Sequence, residues 1–190
     1  MQPDLRQYIN AVWIAIGVLW AAAAFWTKRT ARSQTAGSRV IHILLAAAGF
    51  TMLFTDRLSF RPFSWRFVPD SAVIGYTGLA LTIAGAGFAA WARLYLGRNW
   101  SAVVTIKQDH RIVRSGPYAV VRHPIYSGGL LAFLGTAMAF GEVRGLIALG
   151  LVFIAWWTKL RLEESFLETQ FGAEYVQYRQ EVKALIPFVL

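Results

Sequence analysis

Residues 125–157 read IYSGGLLAFLGTAMAF GEVRG LIALGLVFIAWW, two apolar runs around a short polar break. The connection Gly141-Glu142-Val143-Arg144-Gly145 is too short to join anything but antiparallel neighbours. Residues 125–140 and 146–157 therefore predict a helical hairpin with both outer ends on one side. Three more apolar runs lie upstream, at residues 9–26, 40–54 and 71–94. A helix needs about 20 apolar residues to cross a ~30 Å hydrocarbon core. The run at 40–54 is the shortest of these three, with His42 near its start and Asp56 just past its end.

Composition agrees with a bilayer. The chain is 56% hydrophobic and 15% charged, whereas soluble domains are about half apolar and a quarter charged. The expected fold is all-α, an integral membrane bundle of about five transmembrane helices that includes the hairpin. Gly75, Gly78, Gly85 and Gly87 in the third run suit close helix packing, and with Gly128-Gly129 they could leave a side opening to lipid. After Trp157 an amphipathic stripe of Leu160, Leu167, Phe171, Tyr175, Tyr178, Val182 and Leu185 predicts a C-terminal cytosolic helix. Gly172 should interrupt that helix and Pro187 end it.

The connections carry the polarity. Residues 56–70, with Pro62, Pro69 and several Phe, Trp and Arg, read as an interfacial link. Residues 93–122 form the longest polar stretch, in which 102–107 and 111–113 look like extended pieces around a turn at 108–110. The first connection, residues 93–122 and the C-terminal tail hold 14 Lys and Arg together, and the other connections with the N-terminus hold 5. Positive charge marks the cytoplasmic side, so the expected topology is N-terminus outside, active site and C-terminus cytosolic, in the cytoplasmic membrane. On that reading the sequon at Asn99 would go unused. The formal net charge of +9 then reports topology and phosphate-facing residues and not a nucleic-acid footprint. The N-terminus has no basic cluster or small-residue cleavage site of a signal peptide. The absence of cysteine excludes disulfides, thiolate ligands and a cysteine nucleophile. His42, His110 and His123 are scattered without ligand spacing, so no metal site is expected.

The hairpin brings two polar groups together at its cytosolic mouth. One is Arg122-His123-Pro124 with Tyr126, at the start of the fourth run; the other is Glu163-Glu164, just beyond the fifth. The same residues fit a plain helix entrance, with Arg122 as a basic anchor, Pro124 in a first turn and solvated glutamates. An acid, a base and a cation at one mouth of a charge-poor chain point instead to chemistry.

Those residues also carry a resemblance. Leu96-Gly97-Arg98-Asn99-Trp100-Ser101, Gly116-Pro117-Tyr118 and Arg122-His123-Pro124-Ile125-Tyr126-Ser127-Gly128 resemble the isoprenylcysteine carboxyl methyltransferase family. So do Glu163-Glu164, Phe171-Gly172-Ala173-Glu174-Tyr175, Tyr178 and Ile186-Pro187. Phospholipid methyltransferases are wider relatives. The ordered set spans residues 94–187, which implies an N-terminal helical part, residues 1–93, and a methyltransferase core, residues 94–190. The resemblance implies S-adenosyl-L-methionine as donor, S-adenosyl-L-homocysteine as product and a lipid-like acceptor among membrane lipids. No obligate protein partner and no nucleic acid are implied. Gly116, Pro117, Tyr118, His123, Pro124, Tyr126, Glu163 and Glu164 would hold the cofactor. Arg122 or Arg161 would orient an anionic acceptor, and Glu163, Glu164 or His123 could act as base for an amine acceptor. A phospholipid amine methyltransferase, a nicotinamide-dependent membrane reductase and a non-catalytic membrane protein remain as alternatives.

Overall fold

Among the described residues five long helices carry the apolar runs: α1 (Pro3–Ala24), α2 (Ala36–Phe54), α3 (Ala72–Leu96), α4 (Pro124–Phe140) and α5 (Val143–Phe171). A short α6 (Ala173–Glu181) follows, and two small strands, β1 (Thr30–Ser33) and β2 (Thr105–Lys107), lie in the connections. The coordinates are a computed structural model describing residues 3–24, 30–33, 36–55, 57, 60–97, 105–107 and 112–190. By length and apolarity, Asp4–Ala23, α3 and α5 can cross a membrane, while Arg39–Phe54 and α4 are shorter apolar helices. The protein is a helical integral membrane protein.

Backbone proximity organises the centre. A Cβ on Gly78 would lie 2.5 Å from the Gly135 carbonyl oxygen, and one on Gly85 would lie 2.5 Å from that of Gly128. Gly128 and Gly135 impose the same limit in return, so α3 and α4 meet along a seam of glycines seven residues apart on each helix. Between them Thr82 Oγ1 and Thr136 Oγ1 lie 3.2 Å apart, and Trp13 Nε1 of α1 donates to Thr136 Oγ1 at 3.0 Å. With no water in the hydrocarbon, these groups satisfy one another across three helices. Phe133 packs beside the seam, with Trp13 and Phe50 edge-on at 5.0 and 4.7 Å. The side opening expected at Gly128-Gly129 is absent. Gly128 is filled by Ala89 of α3, and a Cβ on Gly129 would lie 2.5 Å from the Trp156 ring.

The helices alternate in direction, as shown by what pairs at each end. At one end Arg6 Nη2 donates to the Phe54 carbonyl at 3.3 Å. The 56–70 link clamps the hairpin turn there: Phe67 N–H donates to Gly141 O at 3.0 Å, and Val143 N–H to Trp65 O at 2.8 Å. Gly141 ends α4 with φ +74°, a conformation that suits glycine, and α5 starts two residues later. At the opposite end β1 and β2 pair antiparallel, tying the first connection to the 93–122 stretch.

Three expectations need correction. The fifth helix does not stop near Trp157. With neither Gly nor Pro between Trp157 and Gly172, it runs unbroken to Phe171 and carries Glu163 and Glu164 within itself. Gly172 does interrupt the helix, at φ +52°, but α6 stops at Glu181, and Val182 is extended (φ −120°, ψ 133°). The stripe thus fails before Pro187. Finally, the extended piece at 105–107 pairs with β1, residues 112–113 form no strand, and 102–104, 108–111 and Asn99 lie outside the described residues.

The seam makes a sharp prediction. Gly85→Leu should lower detergent-solubilised stability by about 2 kcal/mol or more, because the α3 and α4 backbones would have to separate. Gly87→Ala, where nothing lies within 4 Å, should leave the thermal unfolding midpoint unchanged.

Candidate active site

The site begins with a proline. Pro124 opens α4, and a residue preceding proline is steered out of the helical region. His123 accordingly sits at φ −123°, ψ 60°, so its ring turns off the helix toward α5. The backbone N–H groups of Arg122 and His123 donate to Lys183 O at 2.8 Å and Ala184 O at 3.0 Å. The tail is thereby laid alongside the mouth of α4, and Ser127 Oγ donates to Leu185 O at 2.6 Å.

Glu163 and Glu164 approach from α5. Arg122 Nε and Nη2 both donate to Glu164 Oε1, at 2.9 and 2.6 Å, and His123 Nε2 lies 3.2 Å from the same oxygen. The other imidazole nitrogen, Nδ1, lies 3.6 Å from Glu163 Oε2. Tyr126 donates its hydroxyl to Glu163 Oε1 at 2.7 Å. Its ring stacks between His123 (5.7 Å, 19°) and Trp156 (5.6 Å, 29°), and Lys159 lies over it at 5.6 Å. Burial alone would push His123 down, but hydrogen bonds and charge from Glu163 and Glu164 hold it above its ordinary value. The imidazolium, with two donors, is the form that serves both carboxylates.

Arg122 also donates through Nη1 to the carbonyls of Arg179, at 3.1 Å, and Val182. Four of its five N–H groups are therefore spent on protein. Glu164 Oε2 accepts nothing among the described residues and belongs to the residue that lines a cavity of about 250 Å³. Arg161, Arg179, Lys183, Trp157 and Leu160 line the same cavity. Arg161 has no partner among the described residues.

The structure therefore brings together Arg122, His123, Tyr126, Glu163 and Glu164, with Arg161 at the cavity wall and Pro124 as the buried first turn. The Gly116-Pro117-Tyr118 group is placed differently. It forms a 3₁₀ turn (Gly116–Ala119) wedged between α3 and α6: Tyr118 donates to Ala92 O at 3.4 Å and its carbonyl accepts the Tyr178 hydroxyl at 2.5 Å. Gly116 has φ +60°, and a Cβ there would lie 2.8 Å from the Tyr95 ring. Sequence reasoning missed the tail residues that accept from Arg122 and His123. It also missed the latch of Arg114 on Glu174 (3.6 Å) and over the Tyr178 ring (5.4 Å). The three-residue step from Tyr175 to Tyr178, which puts both rings on the buried face of α6, was the available signal. His42 of α2 lies within electrostatic reach of Lys159 and Glu163, so an N-terminal helix also borders the cluster.

Residues 73–174 match the family model described as phospholipid methyltransferase. A probable protein-S-isoprenylcysteine O-methyltransferase of Oryza sativa subsp. indica is 33% identical over 173 residues, covering 88% of this chain and 87% of the relative. The chain belongs to the isoprenylcysteine methyltransferase-like, phospholipid methyltransferase family. A family protein of Schizosaccharomyces pombe, named protein-S-isoprenylcysteine O-methyltransferase, is 36% identical over 101 residues (52% of this chain, 43% of that protein). The solved structure of the eukaryotic intramembrane Ras methyltransferase, isoprenylcysteine carboxyl methyltransferase, superposes with a TM-score of 0.58 at 27% identity. That match covers 78% of this chain and 52% of the other, so the chain spans about half the length of that family member. This family member is an integral membrane methyltransferase, and a methyltransferase requires a methyl donor.

Two outcomes follow for the cluster. Glu164→Gln removes the charge that pairs buried Arg122 and should cost about 3–5 kcal/mol of stability, measured by thermal unfolding in detergent. A histidine held above its ordinary value binds its proton more tightly folded than unfolded. Its stabilisation is fully present below its ordinary value of 6.5 and is lost as pH rises through the raised value. The unfolding midpoint should fall from neutral to mildly alkaline pH, and the slope should flatten in His123→Gln.

Proposed function

We propose that the protein transfers a methyl group from S-adenosyl-L-methionine to the carboxylate of a lipidic, isoprenylcysteine-like acceptor. The observation that carries this reading is the buried Arg122–Glu164–His123–Glu163–Tyr126 network opening through Glu164 onto a cavity. The donor carries an ammonium, ribose hydroxyls and a carboxylate, so its site needs acceptors and donors side by side. Glu164, with one carboxylate oxygen unclaimed, supplies the acceptor, and His123 and Tyr126 with Glu163 form the wall behind it. When bound, the donor supplies an electrophilic methyl on a sulfonium, and the products are a methyl ester and S-adenosyl-L-homocysteine. A carboxylate acceptor has no proton to lose, so the protein need only orient, desolvate and align. Arg122 is committed to Glu164 and the tail, so Arg161, with Arg179 and Lys183 on the same cavity wall, supplies the positive charge that orients the acceptor. Trp157 and Leu160 give that acceptor an apolar wall.

Residues 94–190 form the catalytic core in this reading and residues 1–93 its membrane support. The side bearing β1, β2 and the cluster faces the cytosol, with the N-terminus outside in the cytoplasmic membrane. The names of the relatives favour the carboxylate acceptor. The phospholipid description of the matching family supports a second reading, an amine headgroup with Glu163 or Glu164 as base. One experiment addresses both. Oriented vesicles containing the protein receive methyl-labelled donor, which does not cross the bilayer, and a small isoprenyl thioether acid. Inverted vesicles should form a base-labile methyl ester, and right-side-out vesicles none. Label in a base-stable lipid headgroup would replace the carboxylate reading with the amine one. Label with right-side-out vesicles only would reverse the topology.

A further inference from the structure

Past Ala184 the chain leaves its packed part as an apolar turn. Leu185 is buried against Leu160, with Trp157 and Leu130 packed on the same cluster. Leu130 lies in the second turn of α4, and tryptophan is the residue type that settles where hydrocarbon meets headgroups, so Leu185 stands at that boundary. Residues 186–190 then close on themselves. Leu190 O accepts from the Leu185 and Ile186 N–H groups at 2.6 and 2.8 Å, and Ile186 O accepts from the Val189 and Leu190 N–H groups at 3.1 Å each. Much of the turn's backbone polarity is thereby spent inside it, as entry into an apolar layer requires. The side chains point outward: Ile186 is 51% exposed, Val189 73%, and Phe188, held at φ +65° near the tip, 95%. An apolar group of this size left open beside polar residues marks an interaction surface.

Cations stand next to the turn. Arg161, Arg179 and Lys183 line the same cavity as Val189 and Leu190. Arg179 pairs with Glu168 at 3.3 Å, whereas the side chains of Arg161 and Lys183 have no partner among the described residues. Glu164, the carboxylate on that wall, is taken by Arg122. Long cationic side chains around an apolar tip suit one partner, a bilayer surface with anionic headgroups: the ring enters the acyl region while ammonium and guanidinium groups stay at the phosphates. We infer that residues 186–189 form a lipid-inserted turn, seated on anionic phospholipid headgroups through Lys183 and Arg161. The cavity then shares a wall with the bilayer, because Val189 and Leu190 belong to both. This seating follows from the chain's place in a membrane and holds whether or not a methyl donor binds the cavity.

The lack of native cysteine makes a direct test possible. Phe188→Cys, Ile186→Cys and, as an aqueous reference, Gln170→Cys of the full chain are labelled with a polarity-sensitive fluorophore. Each is reconstituted in phosphatidylcholine vesicles with and without phosphatidylglycerol, with iodide on both sides of the membrane. Labels at 188 and 186 should emit at shorter wavelength than at 170, be quenched by lipids carrying a nitroxide on the acyl chain, and be quenched several-fold less by iodide. Phosphatidylglycerol should strengthen the lipid quenching, and Lys183→Gln or high salt should remove that gain. Iodide quenching at 188 and 186 equal to that at 170 overturns the inference. So does a shifted emission without lipid quenching, which would mean that protein covers the turn. Lipid quenching indifferent to phosphatidylglycerol overturns the seating on anionic headgroups.

Discussion

One carboxylate oxygen, Glu164 Oε1, holds together the half of the molecule at the open mouth of the hairpin. It receives Nε and Nη2 of Arg122 and Nε2 of His123, and so joins α5 to the segment that starts α4. Through Nη1 the same arginine reaches the end of α6 and the start of the tail. An ion pair so buried is a poor source of net stability but a strong source of geometric definition, because either partner alone would be a stranded charge. Two acids, an imidazolium and a guanidinium leave the cluster electrically balanced, which is how it can lie beside an apolar bundle.

The bundle supplies the other constraint. Glycines on α3 and α4 bring two backbones into direct contact, and Trp13, Thr82 and Thr136 pair their polar groups within that contact. In lipid, where apolar burial does not drive helices together, close approach and hydrogen bonding take over. The 56–70 link fastens the far end of the hairpin through backbone hydrogen bonds to Gly141, Val143 and Arg144. The hairpin is thus fixed at both ends by different means, backbone pairing at one and charge at the other.

The helices and the hairpin were legible in the sequence because hydrophobic runs and a short turn leave few alternatives. Arg122, His123, Tyr126, Glu163 and Glu164 were legible as a group because the hairpin forces the mouths of α4 and α5 together. The end of α5 was not: the change from apolar to polar at Lys159 marks a change of surroundings, and backbone hydrogen bonding continues regardless to Gly172. The role of the tail was also hidden, since Lys183 and Ala184 act through carbonyl oxygens that every residue possesses. The β1–β2 pairing escaped because it joins connections some 70 residues apart, beyond any local pattern.

Helix α5 is one unbroken rod of 29 residues, about 43 Å long at ~1.5 Å per residue. Trp156 and Trp157, of the residue type that settles at the boundary between hydrocarbon and headgroups, sit about 10 Å below Glu164 along that rod. The rod therefore acts as a depth gauge. In the proposed function, an acceptor anchored by its tail in the bilayer would meet the carboxylates only if its reactive group stood at that height. Headgroup length, as well as headgroup chemistry, would then be a means of choosing what is modified.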